Sequence, residues 1–258
     1  MADGRVFIGT SGWSYRAWRE HLYHGLPARA WLGHAARTFG ALEIDASFYR
    51  QISAETFARW RDETPPGFVF TLKGHRFITH FKRLRDCDAP IRRLRAPALA
   101  LGDKLAAVVW QLPARFEADV PRLDGFLRAL RRWPEVRHAI ELRHRSWFTD
   151  EVADHLAAAG VASCMGDAPD FPMWRRVTTD LVYVRLHGHT RRYASSYRRD
   201  HLAAWAADIV GWRRAGLDVH VYFDNDAEGA AVDNAITLRR LVDHPGARPA
   251  RARPAATY

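Results

Sequence analysis

Residues 137–147 read RHAIELRHRSW, and the alternation inside them decides the fold. In a strand, successive side chains point to opposite faces, so Glu141 and Arg143 share one face and Ile140 and Leu142 the other. Helix-like segments flank this strand. The run 119–132 places Val120, Leu123, Phe126, Leu127 and Leu130 at helical spacing, and 150–159 reads as a helix closed by Gly160. A strand with charges on one face, apolar groups on the other and helices around it fits the wall of a parallel barrel. Its charges then point inward near the C-terminal mouth, where such barrels keep their chemistry.

The same grammar repeats along the chain. Further strands are expected at 5–11, 41–47, 68–75, 105–112, 161–166, 181–186 and 219–223. Strand 105–112 is almost entirely apolar, as in parallel sheets covered on both faces. Helices are expected at 27–39, after Ser53, near 90–100, at 200–215 and at 229–242. Residues 168–180 contain Pro169 and Pro172, so the sixth helix is expected to be short or absent. Eight strands with helical crossovers predict an α/β fold, a (β/α)8 TIM-like barrel in a single domain over 1–244. A basic tail, 245–258, is expected to be disordered. A doubly wound open sheet is the alternative, but GTSGWS at 9–14 is not its glycine fingerprint.

The formal net charge is +10, and the body stays basic without Arg248, Arg251 and Arg253 of the tail. That favours an anionic partner, a small phosphate-bearing molecule or nucleic acid. Simple solubility is the competing explanation. Cys87 and Cys164 cannot build a disulfide framework or a zinc cluster alone. No apolar run approaches the roughly 18 residues of a membrane span, and the first strand starts without a leader. A cytoplasmic protein with no membrane contact is expected.

The strings GTSGWSY at 9–15, FYR at 48–50, LKGHRFITH at 72–80, QLP at 111–113, IELRHRSW at 140–147, YVRLHG at 183–188 and YFDND at 222–226 occur in this order. Together they resemble the YecE-like family, domain of unknown function 72. The resemblance spans residues 5–242 and implies a TIM-barrel fold. It brings no activity, cofactor or catalytic role. The chain departs from the family pattern at Asp224, where an asparagine is usual, and at Gln51, where a proline is usual.

Polar groups stand at the predicted strand ends: Ser11, Asp45, Ser47, Lys73, His75, Gln111, Glu141, Arg143, Asp167, Arg185, His187, Asn225 and Asp226. The catalytic candidates are Glu141 as acid or base, His187 as proton shuttle, and Lys73 as anion binder or Schiff-base amine. A structural ion network is the competing account of Glu141, and pairing with Glu141 or Asp45 that of Lys73. The substrate-binding candidates are Arg143, Arg185, Trp13, Tyr15, Tyr49, Trp147, Arg191, Arg192, Tyr193 and Asn225. Their aromatics suit stacking on a base or sugar, and their arginines suit phosphate. An anion cradle is expected between the loops after strands seven and eight, from Gly188, Arg191 and Arg192 in the first and Asn225, Asp226 and Gly229 in the second, with Asp224, Asp226 and Glu228 as opposing charges. No metal is expected, because short-range His or Cys ligand pairs are missing, although Glu141, Asp167, His187 and Asp226 could converge. No cofactor is indicated. The leading expectation is an enzyme, a hydrolase or lyase using acid/base chemistry on an anionic, phosphate-bearing substrate. The alternatives are a nucleic-acid-binding protein and, by analogy of fold, a metal-dependent phosphodiesterase of the endonuclease IV type.

Overall fold

Strands β1 (Val6–Ser11), β2 (Ala41–Ile44), β3 (Val69–Lys73), β4 (Leu105–Gln111), β5 (Arg137–Glu141), β6 (Val161–Asp167), β7 (Leu181–Leu186) and β8 (Asp218–Phe223) close into a barrel. Each pairs in parallel with the next, and β8 returns to β1 through Val219, opposite Val6, and Phe223, opposite Thr10. The computed structural model describes residues 2–244, so the tail predicted from 245 lies outside the described residues. The helices are α1 (Trp18–His21), α2 (Trp31–Thr38), α3 (Ala46–Tyr49), α4 (Ala54–Asp62), α5 (Asp88–Ala98), α6 (Val120–Leu130), α7 (Asp150–Ala158), α8 (Arg199–Arg214) and α9 (Ala230–Asp243). Among the described residues no helix is long and apolar enough to cross a membrane.

The alternation read from the sequence sorts the strands into two cores. Outward residues such as Val108, Ile140, Val184 and Phe223 are buried between barrel and helices. Inward residues form a separate cluster: Ala41, Ala107, Val109, Ala139, Ala162, Cys164, Leu181, Tyr183 and Tyr222. Four alanines make room for two tyrosine rings, which is how a packed barrel interior is filled. Below this layer Asp218 receives Arg5 and Arg137, each at 3.0 Å. Above it every inward position is polar or a glycine.

Two expected strand ends move. Strand two was predicted to reach Ser47 but ends at Ile44. The Ser47 hydroxyl reaches the carbonyls of Ile44 at 2.8 Å and Lys73 at 2.7 Å, and the chain turns into α3. Strand three ends at Lys73, so His75 does not point into the barrel. Its Nδ1 accepts the Phe77 N–H at the start of a π-helical turn, Phe77–Phe81. Gly74 sits between these, and a Cβ there would lie 2.2 Å from Trp110 Cε3. No helix forms in 168–180, as the two prolines suggested. Ser53 does cap α4, accepting the Thr56 N–H at 3.3 Å.

Outside the barrel, Trp110 Nε1 donates to His138 Nδ1 at 3.2 Å, which leaves Nε2–H to donate to Trp133 O at 3.1 Å. Both ring nitrogens are committed to the neutral form, and burial pushes this imidazole down to about 4.

Gly74→Ala is expected to destabilise the fold by about 1–3 kcal/mol in urea titration, because Trp110 has no space to move into. A second prediction concerns pH. In the unfolded chain an imidazole takes up its proton near pH 6.5, whereas folded His138 resists until about 4. Between those values the unfolded chain binds more protons, so stability should fall as pH drops from about 6.5 to about 4. His138→Gln should flatten the urea midpoint over that window.

Candidate functional site

The mouth is built around Arg185, which is fully buried on the inward face of β7. Its Nη2 lies 2.7 Å from Glu43 Oε1 and 3.0 Å from Asp224 Oδ2, and its Nη1 lies 2.7 Å from Glu141 Oε2. One guanidinium therefore binds carboxylates from β2, β5 and the end of β8. Glu43 also accepts Ser11 Oγ at 2.6 Å and Tyr183 Oη at 2.7 Å. Glu141 Oε1 takes Arg143 Nη2 at 2.7 Å and His187 Nε2 at 3.0 Å. Burial alone would raise the Glu141 carboxyl, but Arg143 and Arg185 hold it well below the usual range. Arg185 likewise holds Asp224 below its ordinary value against the pull of burial.

His187 stands between two of these carboxylates. Its Nδ1 is 2.9 Å from Asp224 Oδ2 but off the ring N–H direction, so that nitrogen has no aligned partner. Nε2 is also 3.3 Å from Arg143 Nη2. One nitrogen cannot donate to Glu141 and accept from Arg143 at once, so the two contacts belong to different protonation states of the ring. Phe171 and Tyr193 cover the imidazole edge-on, at 5.5 and 5.8 Å between centroids. Phe171 also lies 4.4 Å from the Arg143 guanidinium. It can do so because Gly166 has no side chain, a Cβ there falling 3.0 Å from both Glu141 Oε1 and Phe171 Cε2.

Two groups at the mouth stay outside this lattice. Lys73 is 5% exposed, its Nζ 4.4 Å from the centre of the Phe48 ring. The expected pairing with Glu141 or Asp45 is not made: among the described residues no carboxylate oxygen lies within 4.0 Å. Among the described residues the buried Asp226 Oδ1 has no hydrogen-bond partner, nor have His187 Nδ1 and Asn225 Oδ1 nearby. Burial, then the neighbouring Asp224 charge, push its carboxyl up to about 9. Asp45 is raised too, first by burial. A cleft of about 340 Å³ opens beside it, lined by Trp13, Ser14, Tyr15, Asp45, Arg50 and Trp60.

The remaining candidates divide. Glu141, Arg143, Arg185 and His187 come together, with Tyr193 above them. Trp147 is corrected to a core residue: it is fully buried, and its Nε1 donates to Phe116 O at 2.6 Å. Arg185 is corrected from a substrate contact to the hub of the lattice, its N–H groups already engaged. Asn225 is corrected likewise, its Nδ2 held by Ser195 O and Asn234 Oδ1, each at 2.9 Å. The anion cradle is not formed. Gly188 N donates to Tyr197 Oη and Gly229 N to Asp226 O, while Arg192 pairs with Asp170 at 2.6 Å. Arg191 is exposed. Trp13 packs edge-on against Trp60 at 5.0 Å, and Tyr15 Oη donates to Ser11 O at 2.8 Å. Tyr49 is 56% exposed. The four residues considered for a metal do not converge: Asp167 faces His189 at 3.7 Å, and among the described residues no three His, Cys, Asp or Glu side chains are placed to hold an ion.

Glu43 was not singled out from sequence, although the alternation with Leu42 and Ile44 placed it inward. Asp226 stands in the sequence as a strand-end polar group and a possible metal ligand, with nothing to mark it as an acid. No periodicity signals which way a loop carboxylate turns.

Fold and site together define a (β/α)8 barrel whose mouth is floored by a buried ionic lattice. A family model described as "Protein of unknown function DUF72" matches residues 7–257, and the chain belongs to that family. It is 25% identical over 274 residues to the UPF0759 protein YunF of Bacillus subtilis, across 92% of this chain and 95% of that one. A solved DUF72 family protein from Thermotoga maritima superposes with a TM-score of 0.82 at 27% identity, covering 93% of this chain and all of the other. One from Enterococcus faecalis gives 0.81 at 19% identity, covering 96% of this chain and all of the other, which speaks to the fold alone.

Removing the hub should be far worse than removing one spoke. Arg185→Met strands three buried carboxylates and is expected to cost about 3–5 kcal/mol. Arg143→Ala leaves Glu141 with Arg185 and His187, and is expected to cost about 1–3 kcal/mol. Paired chemical denaturation curves check the order.

Proposed function

We propose that this barrel is an enzyme that moves protons on a small anionic substrate, a carboxylate or phosphate ester, held over its C-terminal mouth. The observation that carries this reading is Asp226. A carboxyl pushed up to about 9 keeps its proton at neutral pH and can act as a general acid. Among the described residues its buried Oδ1 has no hydrogen-bond partner, which leaves that oxygen free for a substrate. Glu141 and His187 support the chemistry differently from first expectation. The Glu141 carboxylate is saturated and works as a fixed anion, and His187 is oriented by it.

The anionic character of the substrate rests on the rim. Arg50, Arg76 and Arg191 follow β2, β3 and β7, and among the described residues none has a carboxylate within 4.0 Å. The neighbouring cleft has the size of a small-molecule site. Nucleic acid is the weaker reading, because Arg192 and Arg198 of the basic loop are already paired with Asp170 and Asp200.

The test is a thermal-shift panel of sugar phosphates, nucleotides and small carboxylates, followed by proton NMR of each stabilising compound in deuterated water. At least one anion should raise the melting temperature and exchange a carbon-bound hydrogen. Asp226→Asn should keep the thermal shift and lose exchange by about 100-fold or more. A panel without a stabilising anion, or exchange that survives Asp226→Asn, overturns the reading.

A further inference from the structure

The chain carries 36 arginines and three lysines, Lys73, Lys82 and Lys104. With so strong a preference for arginine, the three lysines can be compared one by one for what an ammonium or an amine does there. Lys104 has a structural task. Its Nζ gathers Arg61 O and Thr64 O, each at 2.6 Å, and Thr64 Oγ1 at 3.0 Å, a compact three-way cap. Lys82 makes a surface pair with Asp86 at 3.6 Å. Lys73 does neither. It is buried at the C-terminal end of β3, against the face of Phe48 and without a carboxylate within 4.0 Å among the described residues.

An arginine at position 73 would stay charged at any ordinary pH, whereas a lysine can lose its proton and present a lone pair. We propose that Lys73 is the amine with which this barrel captures a carbonyl substrate as an imine, the substrate being a small oxo-acid or oxo-phosphate. This rests on the proton-transfer reading above and names its substrate class. The Nζ lone pair attacks the carbonyl carbon, and the carbonyl oxygen takes up a proton to give a carbinolamine. Nitrogen, having passed one of its two protons to that oxygen, gives up the other as the hydroxyl leaves with it as water. Amine and carbonyl have become a C=N bond and one water, with no oxidant or reductant. Protonating that nitrogen makes an electron sink that acidifies the adjacent C–H. Such a C–H is the kind of proton that the acid/base groups of the mouth would move.

The surroundings favour the free amine. Burial lowers the Lys73 pKa, and the Arg185 guanidinium on β7 lowers it further. Asp224 of the β8 end, Glu43 on β2 and Glu141 on β5 oppose them, but each is already engaged by Arg185. Asp45, beyond β2, also feels the lysine charge. His80, in the turn after β3, is pushed down to about 4, first by burial, and adds no charge at neutral pH. The lysine is held in place from behind, since Ser47 Oγ contacts its carbonyl and Gly74 N donates to Val109 O at 2.8 Å.

With three lysines the chemistry is easily located. Full-length protein is incubated at pH 7.5 with pyruvate, glyoxylate or dihydroxyacetone phosphate and sodium cyanoborohydride, then mapped by peptide mass spectrometry. At least one carbonyl should give a reduced adduct on Lys73, about tenfold or more above Lys82, because only Lys73 stands at the mouth without an acidic partner among the described residues. Lys73→Arg, which keeps a cation and allows folding to be checked by circular dichroism, should abolish that adduct. In parallel, competitive acetylation across pH should titrate Lys73 below Lys82. If no carbonyl labels Lys73 above Lys82, or if Lys73 titrates with Lys82, the proposal is overturned. Should the adduct be missing while Asp226→Asn still removes hydrogen exchange, imine capture fails and the proton-transfer reading stands. An adduct without exchange of any hydrogen supports imine capture and removes the proton-transfer reading.

Discussion

The Arg185 guanidinium carries the rest of the mouth. Three carboxylates inside a barrel would each cost several kcal/mol of lost hydration if left alone. A planar fork of five donors can reach all three from one point, which a lysine ammonium on a flexible stem cannot do as well. Glu43, Glu141 and Asp224 come from strands far apart in sequence, so the guanidinium also fixes the relation of β2, β5 and β8 to β7. Tyr183, Ser11, Arg143 and His187 then take up the remaining lone pairs. The result is a rigid floor with little spare hydrogen-bonding capacity. Lys73 and Asp226 stand outside that floor, and the proposed chemistry rests on them.

The fold was legible because two periodicities carry it. Period two in the strands and helical spacing in the crossovers gave eight units, and the prolines at 169 and 172 announced the missing helix. The site was legible where side chains follow strand alternation, as with Glu141, Arg185 and the inward Lys73. It was misread where alternation stops. Extending strand two to Ser47 made Asp45 and Ser47 look like its inward end and drew attention from Glu43, while a serine hydroxyl had already ended the strand. Trp147 stands after a strand like a pocket aromatic, yet the nearby Phe116 carbonyl and ring claim it for the core. At the end of β8 the sequence offers Asp224, Asn225 and Asp226 in a row. Only the turn of the backbone assigns one to the lattice, one to Asn234 and one to the unpaired position.

The barrel also separates two kinds of buried polarity. Inside, charges are balanced against charges. Outside, His138 is held neutral by an indole donor and a carbonyl acceptor, with no charged partner. The first arrangement resists acid until its carboxylates protonate. The second stays neutral in the folded protein down to about pH 4, and below about 6.5 it lowers stability only because the unfolded chain takes up the proton.

The crossover between β6 and β7 does two jobs at once. Trp174 stacks on Phe148 at 5.3 Å and anchors the segment outside, while Phe171 closes over Arg143 and His187 above the floor. Most other crossovers of the barrel carry a helix. This one does not. Substitutions or insertions in 168–180 reach the wall of the cavity without having to re-dock a helix, and loops of this kind tolerate both. A change of sequence in this segment would therefore reshape the wall over Arg143 and His187 and leave the Arg185 floor untouched.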